Sequence, residues 1–233
     1  MAKRKRERSA DAVSQPLSKT IRSGGAEQND KQEADKQTAT NANTTVTSNV
    51  RKIEASSTSS SRRVNVIDKT GDLFSAPLGA LLVHACNSQG HWGKGIALAF
   101  RQKYPTAFET YAQHCKSASP DSFPGTALLI PPNDDSTKQK RHFVGCLFTS
   151  LSTGRNKDKP DAILVNTRRA MTNLLGQVHD WNRDEKHTVK VDRIWMCQIN
   201  SGLFNVPWQD TKQVLEEINV PEDVTQDVTV MTR

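Results

Sequence analysis

The stretch LLVHACNSQGHWGKGIA, residues 81–97, decides how the chain is read. With Gly79 and Ala80 before it, the run is apolar on consecutive positions through Cys86, the pattern of a strand covered on both faces. Glycines at 90, 93 and 95 then break the chain into a loop. From Ile96 to Tyr104 the spacing turns helical. Ile96, Ala99 and Phe100 share a face, Arg101, Gln102 and Lys103 point away, and Pro105 is a stop. A strand, a glycine loop and a helix in that order place backbone N–H groups at the carboxyl end of the strand, where they can approach a phosphate. The segment is therefore expected to bind a phosphorylated, nucleotide-type ligand.

Outward from it, Val64–Ile67 reads as a strand closed by the turn Gly71-Asp72, and Ala107–Cys115 resumes a helical pattern. Thr126–Ile130 and His142–Phe148 read as two strands joined by a polar turn around Asn133–Asp135, followed by a polar loop over 151–160. Pro160–Val178 is the longest helical pattern, with Ile163, Thr167, Ala170, Leu174 and Leu175 on one stripe and Asp161 placed to suit the helix dipole. Val191–Cys197 is a further strand, Gln198–Phe204 a second loop with a glycine, Trp208–Ile218 a helix and Asp227–Met231 a last strand. Strands alternating with helices predict an α/β domain over residues 63–233, with a mixed or parallel sheet between helices.

Two loops, His84–Ala97 and Ile199–Asn205, thus follow strands and open helices. Together they can clamp a diphosphate from both sides. Neither contains GxxxxGK[ST], and neither fits the GxGxxG dinucleotide pattern at the right offset. A single glycine loop is more often a tight turn; it is the pair in this context that favours a ligand.

Residues 1–62 contain no aromatic residue and carry 12 Lys/Arg against 7 Asp/Glu, so most of the formal charge of +7 belongs to them. A segment this polar cannot bury enough apolar surface to fold, and is expected to be a disordered basic tail. Its Lys3-Arg4-Lys5-Arg6 cluster is either a nuclear import signal or polyanion contact, or simply a solvated terminus. No apolar stretch follows it, which excludes a signal peptide or membrane anchor. The basic balance is no reason to expect nucleic-acid binding by the folded part. Cys86, Cys115, Cys146 and Cys197 form no CxxC pair and no zinc spacing with a histidine, so reduced thiols and an intracellular setting, cytoplasm or nucleus, are expected.

Taken together, Gly71-Asp72-Leu73, His84-Ala85-Cys86-Asn87, Trp92-Gly93-Lys94-Gly95-Ile96-Ala97 and Ile199-Asn200-Ser201-Gly202-Leu203-Phe204-Asn205 resemble the macrodomain family. Residues 146–150 and 206–208 belong to the same pattern, and the likeness spans roughly 63–233. It is greatest to the fungal branch, the yeast-type ADP-ribose 1''-phosphate phosphatases. The resemblance implies a three-layer α/β/α macrodomain with a mixed sheet, binding ADP-ribose without a cofactor or metal. It implies that Asp72, between Gly71 and Leu73, accepts from the adenine amino group, with Leu73 against the ring. Asn87, after Ala85 and Cys86, would meet the distal ribose, and the backbones of 92–97 and 199–205 the diphosphate. Without the resemblance, Asp72 reads as a turn residue bonded to its own backbone.

For catalysis, phosphomonoester hydrolysis needs charge neutralisation, a placed water and an acid for the leaving oxygen. His84, at the carboxyl end of its strand, is the expected acid or base; the alternative is a buried histidine bonded to a carbonyl. Asp210, in the first turn of the helix after loop two, is the expected carboxylate, or else a helix-start residue. His91 can reach a distal phosphate, Lys94 a phosphate or solvent, and Trp92 a ribose or the loop itself as a lid. Three activities stay open. The first is a phosphatase acting on ADP-ribose 1''-phosphate, a by-product of tRNA splicing in that family's setting. The second is a hydrolase of ADP-ribosylated proteins or O-acetyl-ADP-ribose, disfavoured by Phe204 where such enzymes carry an Asp. The third is a non-catalytic reader of ADP-ribosylated proteins. A monomer acting on a small molecule is the expectation.

Overall fold

The computed structural model describes residues 61–132 and 142–232. The chain divides into two units, Met1–Ala55 and Ser56–Arg233, and every described residue belongs to the second. The Lys3–Arg6 cluster and the turn at Asn133–Asp135 lie outside the described residues.

Six strands form one sheet: β1 (Asn65–Thr70), β2 (Leu81–Asn87), β3 (Ala127–Ile130), β4 (Phe143–Ser150), β5 (Ile194–Cys197) and β6 (Asp227–Thr232). Their order is β1-β6-β5-β2-β4-β3, parallel throughout except that β3 pairs antiparallel with β4 at the edge. The helices are α1 (Gly95–Lys103), α2 (Pro105–Lys116), α3 (Pro160–Arg183) and α4 (Trp208–Glu216).

Alternation along β2 assigns the two faces. Leu81 and Val83 join the core under α3 and α4, with Met171, Leu174 and Leu215. Leu82 and Cys86 join the core under α1 and α2, with Phe100, Tyr104 and Tyr111. The residues of both cores are buried. A Cβ on Gly145 of β4 would stand 3.0 Å from Leu174 and 3.1 Å from Val83, so this glycine lets α3 approach the sheet.

Several element bounds differ from the sequence reading by a few residues, and for α3, β5 and the chain before β1 the local reason is visible. The helix α3 runs past Val178 to Arg183 because Trp181 still packs on the core, edge-on to Phe143 at 5.4 Å. The strand β5 begins only at Ile194, since Asn182 takes both backbone groups of Val191, at 2.8 and 3.0 Å, in place of a strand partner. Arg62, assigned to the tail by composition, is held by Pro221, Glu222 and Val224 carbonyls, while its own carbonyl accepts from Val220 N at 2.8 Å.

Candidate functional site

At the carboxyl ends of the parallel strands lies a cavity of about 920 Å³. Gly71, Asp72 and Leu73 line it from the end of β1, Ala85, Cys86 and Asn87 from the end of β2. Loop one contributes Trp92, Gly93, Lys94, Gly95, Ile96 and Ala97; loop two contributes Ile199, Asn200, Ser201, Gly202, Leu203 and Phe204. Of the binding residues expected from sequence, Asn205 alone is not in the wall. It has φ of 57°, and its amide closes a turn onto the Gly202 carbonyl at 3.0 Å, so it shapes the loop from behind.

Loop one is braced before it meets any ligand. Asn87 Oδ1 accepts from Gln89 N at 2.8 Å and its Nδ2 donates to the His91 carbonyl at 3.2 Å. Tyr111 donates from its hydroxyl to the Asn87 carbonyl at 2.7 Å. Trp92 is buried and stacked on Tyr111, centroids 4.9 Å apart, so it floors the loop rather than closing it as a lid. Gly95 takes φ of +58°, a turn that starts α1 beside the cavity. The first N–H groups of α1 have no carbonyl to bond within the helix and stand at the cavity wall.

Loop two is pinned from below. Asn200, at φ of 65°, donates from Nδ2 to Thr167 of α3 at 2.9 Å and more weakly to Thr211 of α4 at 3.5 Å. Phe204 turns inward onto Ile163 and Val206, against Ala85 of β2. Two buried polar atoms of cavity-lining residues, Trp92 Nε1 and Asn200 Oδ1, have no protein partner. Asp72 spends one carboxylate oxygen on Phe74 N at 3.1 Å, the turn bond expected of it, and also lines the cavity.

Neither catalytic residue expected from sequence lies in the cavity wall. His84 is fully buried and absent from the cavity wall: its ring stacks on Phe100 at 4.1 Å, meets Trp92 edge-on at 4.7 Å and touches Cys86 Sγ. Alternation along β2 turns it under α1, away from the strand-end opening. Asp210 is exposed in the first turn of α4 and also lies off the wall, as a helix-start acid. Among the described residues, His91 is the one imidazole in the wall.

Sequence reasoning missed Thr153 and Gly154, which line the cavity from the loop after β4, and Met231 and Thr232 from the end of β6. The strand-end rule that found the other loops applies to both. Burial pushes the Cys197 thiol up to about 12; burial also raises the Cys86 thiol well above the ordinary thiol value, helped by neighbouring Cys146 and opposed by His84, and both residues line the cavity.

The family model for the Macro domain matches residues 83–215. The chain is 45% identical over 161 residues to a Chaetomium globosum protein named ADP-ribose 1''-phosphate phosphatase, covering 68% of this chain and 86% of that one. A protein of the same name from Aspergillus fumigatus is 39% identical, with 70% and 95% covered. The macrodomain of Thermus aquaticus DarG superposes with a TM-score of 0.52 at 19% identity, over 72% of this chain and 99% of that one. The order of the strands, the two loops at their carboxyl ends and these matches agree: the chain belongs to the macro domain family.

Proposed function

We propose that the protein is an ADP-ribose 1''-phosphate phosphatase, which hydrolyses the terminal phosphomonoester to ADP-ribose and inorganic phosphate. The observation that carries this reading is the cavity itself, walled by two glycine loops and a helix N-terminus and sized for a dinucleotide-like ligand. The names of relatives up to 45% identical support the choice of substrate.

In this reading Asp72 offers its second carboxylate oxygen to the adenine amino group, and Leu73 packs on the ring. The N–H groups of residues 95–97 and of loop two bond the diphosphate, whose charge the α1 dipole also favours. Asn87 meets the distal ribose with the hydrogen and lone pair that loop one leaves spare. Trp92 Nε1 and Asn200 Oδ1 supply a buried donor and acceptor to the ligand or to ordered water. A water oxygen attacks phosphorus, the bond from phosphorus to the ribose 1''-oxygen breaks, and that oxygen takes a proton. His91 is assigned the proton transfer, since it is the imidazole at the cavity, and Lys94 offsets charge on the phosphoryl oxygens. The substrate is a small molecule, and an intracellular setting is assigned with it.

The test is phosphate release from ADP-ribose 1''-phosphate by wild type and His91→Ala, beside calorimetric binding of ADP-ribose. The expected result is turnover by wild type, with a loss of about 10²–10⁴-fold in the variant and binding retained. Wild type that binds ADP-ribose and releases no phosphate would make the protein a reader. Full turnover by His91→Ala would remove the role given to His91.

A further inference from the structure

The face of the sheet beneath α1 and α2 carries a group of soft donors that the proposed hydrolysis does not use. His84 and Cys86 are two residues apart on β2 and so share this face. Register places Cys146 of β4 directly opposite His84. One ring nitrogen of His84 and the sulfurs of Cys86 and Cys146 all lie within 4.8 Å of one another. The three side chains are buried, and no carboxylate or ammonium group belongs to the cluster.

The spacing is the informative quantity. A zinc ion takes thiolate sulfur at about 2.3 Å and imidazole nitrogen at about 2.0–2.1 Å, so two such ligands at a tetrahedral angle stand about 3.5 Å apart. Cys86 Sγ stands 3.5 Å from His84 Nε2. Cys146 closes the triangle, and Cys86 is shared between this cluster and the cavity wall. That sharing puts the floor of the cavity next to the cluster.

We propose that His84, Cys86 and Cys146 form a three-ligand site for a thiophilic cation, Zn²⁺ in the first instance, entered through the floor of the cavity. Loading converts the two thiols to thiolates and releases two protons, so the ion and its ligands carry no net charge and sit in an apolar surround without an unpaired ion. The residues assigned to the phosphoryl chemistry, His91 and Lys94, are not among its ligands. Its loading is read by spectroscopy and needs no substrate.

The experiment uses the reduced, chelator-treated full chain titrated with Co²⁺ as a coloured stand-in for Zn²⁺. The expected result is a thiolate-to-cobalt charge-transfer band saturating at one ion per chain and bleached by added Zn²⁺. Cys146→Ser is expected to weaken binding at least ~100-fold, beyond the loss typical of a ligand's hydrogen-bond partner. Cys115→Ser, a buried thiol on α2 outside the cluster, is expected to leave it unchanged. Far-UV circular dichroism verifies that each variant folds, and Cys146→Val serves if Cys146→Ser does not. Absence of the band in folded wild type overturns the proposal. So does a band that survives in the Cys146 variants, or one lost equally in Cys115→Ser.

Discussion

Asn200 Nδ2 donates to Thr167 Oγ1 at 2.9 Å, and Thr167 in turn donates to the Ile163 carbonyl at 2.7 Å, so loop two is tied to α3 by a relay of buried hydrogen bonds. The relay holds a non-glycine residue at φ of 65° in the wall of the cavity. Thr167→Val keeps the shape of the side chain and removes the acceptor. The expected cost is about 1–3 kcal/mol of stability, because the Asn200 amide is left with only its longer bond to Thr211. ADP-ribose affinity is expected to fall with it. Thermal denaturation and calorimetry on the same sample check both, and unchanged affinity would show that loop two does not depend on the tie.

His84 packs against Trp92, which floors loop one, and against Phe100. His84→Ala opens a void under loop one and is expected to cost about 2–4 kcal/mol and to weaken ligand binding. His84→Phe refills the void and is expected to restore most of both. An imidazole needed for its proton would not be rescued by a phenyl ring. Denaturant titration and turnover of the pair separate packing from proton transfer.

Gly95 is where backbone freedom and ligand approach coincide. At φ of +58° a side chain is strained, and its Cβ would stand 3.8 Å from Leu203 of loop two. Gly95→Ala is expected to lose about 1 kcal/mol of stability. It should lose proportionally more ADP-ribose affinity, because the added methyl stands between the two loops. Binding at equal folded fraction, measured by calorimetry, is the check.

His114 sets a part of the acid sensitivity. Burial beside Phe123 and Phe148 holds its imidazole below the ordinary histidine value. As pH falls through about 6.5 the unfolded chain takes up this proton first, so the folded state loses stability from there down to the folded value. Above that window the contribution is intact. Melting temperatures between about pH 7.5 and 5 are expected to fall less steeply for His114→Gln than for wild type.

The layering was legible in the sequence because its signals are local. The stripe from Ile163 to Leu175 and the run from Leu81 to Cys86 each announce an element without help from the rest of the chain. The cavity wall was legible for the same reason, since glycine loops after strands carry their own signature. What was not legible was direction. A strand apolar on both faces does not say which face its one histidine takes; His84 stands on β2, as its position in sequence implies, with its ring under α1. Contacts set by register between distant strands, such as His84 with Cys146, have no spacing to read. Thr153 and Gly154 sat in a polar loop with no motif, and only the adjacency of β4 to β2 brings them to the wall.

The sixth strand lies between the first and the fifth. Asn65 therefore waits for Asp227, a partner 162 residues later, before β1 can dock. During synthesis β1 stays unpaired until β6 has been made, so this pairing of strands distant in sequence forms after the local ones. Proteolytic clipping before Asp227 would release β1 along with β6. With β1 would go Gly71, Asp72 and Leu73, so a nick far from loop one would erase one end of the binding cleft.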